Sequence, residues 1–351
     1  MTQTTQVAVI GGGQAGLAAG HHLRRLGLDF VILDAQAEPG GAWQHAWDSL
    51  HLFSPAAYSS LPGRPMPLQM GEPYPDARHV VGYLTEYERR YDLPVHRPVR
   101  ATGVHRDGRY LRVGTEVGSW RAGAVISATG TWWRPFLPAV PGRSDFRGRQ
   151  LHTVEYRSPR NFAGQRVIVV GGGNSGAQIA ADLAYDTELT WVTQRPPRFL
   201  PDDIDGRALF DVATARRRAL DEGRTDTQGV ASLGDIVAVA PVREARDTGL
   251  LKASPMFVRL DRDGVVWSDG TRTPADAVIW CTGFRPALSH LAPLGLRGQR
   301  GRIATAGTRS VKEPRLHLLG YGDWTGPASA ILIGVGRPAR DAAREIAELL
   351  A

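Results

Sequence analysis

Three observations predict an α/β fold built from two similar halves. The stretch at residues 7–16, VAVIGGGQAG, recurs at residues 167–176 as VIVVGGGNSG. Each copy follows an apolar run of β character and opens an Ala- and Leu-rich segment of helical character, the context that makes a G-x-G-x-x-G match specific. Each half also closes on a second apolar strand and a Thr-Gly turn, residues 124–128 before Thr129-Gly130 and residues 277–280 before Cys281-Thr282-Gly283. In such a strand–loop–helix the first glycine makes the tight turn, the second admits a pyrophosphate to the backbone, and the third lets helix and strand pack closely. The phosphates then sit among the unpaired N–H groups of the helix N-terminus. The predicted architecture is therefore two Rossmann-like dinucleotide-binding domains, the second inserted into the first. Residues 1–145 and 286–351 form the first, and residues 146–285 the second, with a helical insertion at about 200–256.

Composition narrows the function classes. The chain has 351 residues, 42% of them hydrophobic, enough for two domains of ordinary size. No apolar run approaches the roughly 20 residues of a helical membrane span, and the N-terminus enters a strand without a charged then apolar leader; a cytoplasmic location is expected. The single cysteine, Cys281, leaves no disulfide framework, CxxC pair or zinc cluster within one chain. Net charge is +7, but the arginines are scattered with no basic run interleaved with aromatics, so nucleic acid is not an expected partner.

The first half reads as a strand over residues 6–10, a helix over 14–26 and a strand over 29–33 that ends in Asp34. Gly11, Gly13, Gln14, Ala15 and Gly16 form the cradle, and Asp34, 23 positions beyond Gly11, is the expected acceptor for ribose hydroxyls. FAD and NAD both satisfy that pattern. Residues 40–76 are rich in loops, yet Trp47 and Tyr58 carry apolar area that needs burial, and Trp43, just after the turn at Gly41, is placed to lie along a flavin. Asp76 looks like the N-cap of a helix through Val80, Leu84, Tyr87 and Tyr91. Thr129 and Gly130 close the half, and residues 131–142, TWWRPFLPAVPG, read as a stiff crossing.

In the second half, Gly171, Gly173, Asn174, Ser175 and Gly176 repeat the cradle. The offset that leads from Gly11 to Asp34 leads from Gly171 to Gln194, so the acid is missing. Arg195 follows and Arg198 lies just beyond, the replacement expected where a 2′-phosphate is bound. This half suits NADPH. Residues 200–256 break the α/β rhythm, with a helix over 210–220 and a possible role as a lid. A hairpin turned by Asp263-Gly264 and the strand ending at Thr282 and Gly283 complete it. A last strand near Leu316 leads to Asp323, placed to accept from a sugar hydroxyl; one helix is expected near Pro327 and another from Pro338 to the end.

These residues carry a resemblance. Phe146, Gly148, His152 and Tyr156 match F-x-G-x-x-x-H-x-x-x-[YF], the motif that precedes the second loop in class B flavin-containing monooxygenases. Tyr156 stands where the related Baeyer–Villiger enzymes have Trp, so the sequence looks like the heteroatom-oxidising branch. The segments GGAWQHAWDSLHLFSPAAYSSLPG, GGGNSGAQIAADL, RPPRFLPDD and LLGYGDWTGPASA further resemble the flavin monooxygenase-like proteins of bacterial arsenic-resistance operons. The resemblance implies FAD at the first loop and NADPH at the second. It implies that NADPH reduces FAD, O₂ adds at flavin C4a, and retained NADP⁺ shields the hydroperoxide until a soft S or N centre, or a trivalent arsenical, takes one oxygen. The alternative is an NAD(P)H-dependent oxidase that makes H₂O₂ or reduces a partner. Trp43, Ser54 and His152 are the candidate catalytic residues, with the flavin doing the chemistry: His152 becomes a hinge or positioning residue, and Ser54 stands in the segment where several relatives place an Asn that supports the peroxide. Expected partners are a small-molecule substrate and O₂, with a homodimer possible and no membrane association.

Overall fold

The computed structural model describes residues 2–202, 236–298 and 301–351, with single positions 211, 215 and 222. The chain divides into two compact units, Met1–Gln44 with Ser54–Trp133 and Pro286–Ala351, and His45–Phe53 with Arg134–Arg285. The crossing segment from Arg134 onward, assigned to the first domain on sequence, belongs to the second unit. Its backbone is held there, Arg285 N–H donating to Arg134 O at 2.8 Å and Phe136 N–H to Gly283 O at 2.9 Å.

The first unit is organised by strand β1, Thr2–Ile10, which pairs in parallel with β2, Phe30–Leu33, on one side and with a later strand, Gly118–Ser127, on the other. Val7 through Ile10 are buried on both faces, as befits a central parallel strand covered by helices. Helix α1, Gln14–Arg25, connects β1 to β2. Among the described residues nine strands join this sheet, extended by Val95–His96 beyond β2 and by Leu316–Leu318 beyond Gly118–Ser127. Since β1 lies between strands reached in opposite directions, its C-terminal end opens at the switch point where such sheets bind ligands. Helix α2, Ala77–Arg90, starts as expected, with Asp76 accepting from His79 N–H at 2.7 Å. The helix expected near Pro327 is absent: positive φ at Gly326 (+130°) and Ala328 (+59°) turns the chain, and helix begins only at Gly336–Leu350.

The second unit carries a five-stranded parallel sheet among its described residues. At its centre Arg166–Val170 is flanked by Glu188–Thr193 and Ala277–Trp280, and Arg149–His152 lies outside the latter. Helix α3, Asn174–Leu183, leaves the glycine loop and packs Ile179, Ala180 and Leu183 into a core shared with Tyr156, Phe162 and Trp191. The break expected over 200–256 is corrected in its described part: helix α4, Ala240–Asp247, leads into Ala253–Pro255, which pairs in parallel with Glu188–Thr193 and extends the sheet. The helix expected over 210–220, and any lid formed there, fall outside the described residues but for single positions. Gly264–Val266 forms the middle strand of a small antiparallel sheet, with the predicted turn before it.

Candidate functional site

The first loop shows why its glycines are glycines. Gly11 has φ +109°, and a Cβ there would fall 2.5 Å from Ala128 O; one at Gly16 would fall 1.8 Å from Gly11 O. Gly13 caps α1 in an extended conformation without a side-chain cap, and the helix has no acid in its first turn. The N–H groups of that turn are thus left to an anion, and the helix dipole favours one. The residues present therefore fit a diphosphate.

Other predicted residues of the first unit gather around this loop. A Cβ at Gly41 (φ +57°) would fall 2.8 Å from Gly13 Cα, so the turn at 40–41 lies against the loop. Gln14 joins two segments, accepting from Trp43 Nε1 at 3.0 Å and donating to Ala330 O at 2.8 Å. At Gly320 a Cβ would fall 2.8 Å from that of Ala15, which sets the turn leading to Asp323 beside the helix start. Asp323 itself is exposed in the short 3₁₀ turn Gly322–Trp324. Thr129 Oγ1 donates to Ala287 O at 2.7 Å and lies 2.8 Å from Tyr321 Oη, next to Gly130 (φ +61°). Ser54 is buried in the same unit, its carbonyl accepting from Ser59 Oγ at 3.4 Å.

Asp34 is buried and ion-paired. Arg97 Nε donates to its Oδ2 at 2.8 Å, and Gln36 N–H reaches Oδ1 at 3.3 Å. Sequence reasoning passed over Arg97 because an arginine after a short strand carries no motif. It also missed the buried pair His290 and Tyr321, both within 3.0 Å of Ser127 Oγ. Burial, then Arg297, pushes His290 down to about 4, and burial pushes the Tyr321 hydroxyl up.

The second loop repeats the geometry. Gly171 has φ +143°, with an added Cβ 2.2 Å from Cys281 O, and a Cβ at Gly176 would fall 2.1 Å from Gly171 O. Gly173 caps α3, again with no side-chain cap, and a Cβ there would meet nothing within 4 Å. Asn174 has a structural partner, its Oδ1 accepting from Val237 N–H at 2.8 Å, and Ser175 follows, half-buried. Beside the loop lies a cavity of about 450 Å³, lined by Phe136, Gly171, Gly172, Gln194, Phe257 and Thr282 among others. Arg195 and Arg198 are exposed just beyond Gln194, and Arg195 makes no hydrogen bond or ion pair among the described residues. Thr282 Oγ1 donates to Phe136 O at 2.5 Å. Cys281 is pushed up to about 12 by burial, which keeps it a thiol at neutral pH.

The motif residues support this site from beneath. A Cβ at Gly148 would fall 2.3 Å from the Phe146 ring and 2.6 Å from Asp276 O. His152 is buried, with Val154 N–H on Nδ1 at 3.4 Å and Gly283 O 3.0 Å from Nε2. The acceptor role of Nδ1 assigns the proton to Nε2, so a neutral ring donates to the Gly283 turn. Burial lowers its pKa and favours that neutral form. Tyr156 donates to Asp182 Oδ2 at 3.3 Å, its ring stacked on Phe162 and edge-on to Trp47. Asp182, pushed up by burial, also accepts from Ser49 Oγ.

Residues 8–220 match the family described as pyridine nucleotide-disulphide oxidoreductase. Among solved structures the chain is similar to a flavin-containing monooxygenase from Stenotrophomonas maltophilia, 51% identical with a TM-score of 0.91, over 99% of this chain and 100% of that one. It is 30% identical to an uncharacterized CzcO-like oxidoreductase of Geobacillus kaustophilus over 97% of each. The S-allyl-L-cysteine S-oxygenase of Allium sativum shares the fold, with a TM-score of 0.71 at 19% identity over 99% of this chain and 80% of that one. No helix among the described residues is long and apolar enough to cross a membrane.

Proposed function

Because the chain belongs to the pyridine nucleotide-disulphide oxidoreductase family, among its flavin monooxygenases, we propose that it is an NADPH- and O₂-dependent monooxygenase that places one oxygen atom on a soft heteroatom of a small molecule. The observation that carries this reading is the pair of glycine cradles with different endings, a buried carboxylate at Asp34 after the first and an exposed guanidinium at Arg195 after the second.

FAD held at the first cradle supplies hydride acceptance and the activation of O₂. The chain binds and orients. The N–H groups at Gly13–Ala15 hold the diphosphate, Asp34 accepts from the adenosine hydroxyls, and Gln14 fixes Trp43 as a wall of the site. In the second unit, the start of α3 takes the other diphosphate, Arg195 and Arg198 bind the 2′-phosphate, and the Thr282-Gly283 turn, held by neutral His152, supports the nicotinamide half. His152 moves no proton in this scheme because both nitrogens are engaged. Sulfides and tertiary amines are the expected substrates. A trivalent arsenical prefers several thiolates, so with Cys281 as the single thiol it would enter only as a passing substrate.

The test is stoichiometric. Anaerobic NADPH should bleach the bound flavin, and O₂ admitted with a thioether should return the colour with about one sulfoxide formed per NADPH. Quantitative H₂O₂ release with every sulfide and amine tried would instead identify an oxidase.

A further inference from the structure

Asp34 does not stand alone at the end of β2. The Arg97 side chain, only 10% exposed, lies between Asp34 and Glu88. Its Nε donates to Asp34 Oδ2 at 2.8 Å, while Nη1 and Nη2 donate to Glu88 Oε1 and Oε2 at 2.6 and 2.8 Å. One planar fork thus serves two carboxylates at fixed angles, which a lysine cannot reproduce. The backbone pins the same group, Asp34 N–H donating to His96 O at 3.0 Å and Val99 N–H to Asp34 O at 2.7 Å.

The ion pair also reaches the glycine loop. Arg97 Nη2 lies 3.5 Å from Gly12 O, and a Cβ at Gly12 would fall 2.6 Å from Asp34 Oδ2 and 2.9 Å from Nη2. At the matching position of the second loop, Gly172, a Cβ would fall 3.4 Å from Thr193 Cγ2, an easier contact. The middle glycine of the first loop is therefore required by the Asp34–Arg97 pair. With Oδ2 on the guanidinium, Oδ1 keeps acceptor capacity beyond the long bond from Gln36 N–H. The trio retains one net negative charge, which suits hydroxyl donors and opposes a phosphate.

Resting on the assignment of FAD to the first loop, we propose that Arg97, oriented by Glu88, is a positioning residue that holds Asp34 in one rotamer, and so sets the selectivity of this site for the adenosine hydroxyls. The apoprotein would be titrated with FAD and with an FAD analogue carrying 2′,3′-dideoxyadenosine, Kd being read from flavin fluorescence. The wild type should prefer FAD by about tenfold or more, as for hydrogen bonds to a charged group. Arg97→Met and Asp34→Asn should each bring that ratio close to one, and Arg97→Lys should restore little of it. Circular dichroism and melting of each apoprotein report folding. Should Arg97→Met fail to fold, Glu88→Gln carries the test, since it keeps the Asp34 pair but frees the fork, and the ratio must fall there too. An equal loss of both ligands in Arg97→Met or Glu88→Gln, with the ratio intact, would show a purely structural role and overturn the proposal. So would an unchanged ratio in both while Asp34→Asn abolishes it. If the wild type shows no preference and Asp34→Asn changes nothing, the assignment of FAD to this loop fails and the proposal falls with it.

Discussion

At the scale of single residues, the two positions proposed to meet a ribose differ in how they are held. Asp34 is buried under Arg97, whereas Arg195 is exposed and without a hydrogen bond or ion pair among the described residues. Arg195→Ala should therefore weaken NADPH by about 1.5–3 kcal/mol, the worth of a lost hydrogen bond to a charged group, and leave NADH nearly untouched. KM measured for both nucleotides decides it; an equal rise for the two would refute the 2′-phosphate role. Much at this scale was legible in the sequence. The glycine spacing announced both cradles, because a missing Cβ is the one local property that a close backbone approach demands. Arg97, Tyr321 and His290 were illegible for the opposite reason: their roles come from neighbours distant in the chain.

At the scale of one element, the loop leading into α3 separates folding from binding within three glycines. A Cβ at Gly176 would collide with Gly171 O, while one at Gly173 would meet open space at an ordinary φ of −108°. Gly176→Ala should consequently destabilise the protein by about 1–3 kcal/mol, the usual cost of overpacking. Gly173→Ala should leave the melting temperature of the apoprotein nearly unchanged yet raise the KM for NADPH, because the methyl would occupy the place of a phosphate. Equal melting temperatures for the two variants would contradict this geometry. Elements with strong local signals were readable, including α2 from its Asp76 cap. The misjudged ones lay where local and tertiary signals part: α4 and Ala253–Pro255 continue the sheet from a polar, glycine-bearing stretch, and the turn at 326–328 interrupts a segment of helical composition.

Across the whole molecule, burial of neutral histidines governs the response to acid. His22, His290 and His317 are each lowered to about 4, chiefly by burial, from an ordinary value of 6.5. Between those values the unfolded chain binds protons that the folded chain refuses, so the stability these histidines contribute falls as pH drops from about 6.5 to 4 and changes no further below. For the deeply buried His290 and His317 the loss approaches about 1.4 kcal/mol per pH unit per group. Asp182, raised by burial, works the other way and offsets part of it. Melting temperatures at pH 7.5, 6.5, 5.5 and 4.5 should be flat over the first step and then decline; a curve flat to pH 4.5 would contradict it. The duplicated α/β plan was visible in the sequence as two equivalent sets of strand ends, while the place of His45–Phe53 in the second unit was not.

The exposure of Gln194, Arg195 and Arg198 bears on how such a protein can change over generations. On the proposed reading coenzyme preference would rest on exposed side chains, Arg195 above all, so a lineage or an engineer could revise it there at little cost to folding. The end of the first loop offers no such freedom: Gly12, Asp34, Glu88 and Arg97 interlock, and an isolated replacement there disturbs its neighbours before it can be improved upon.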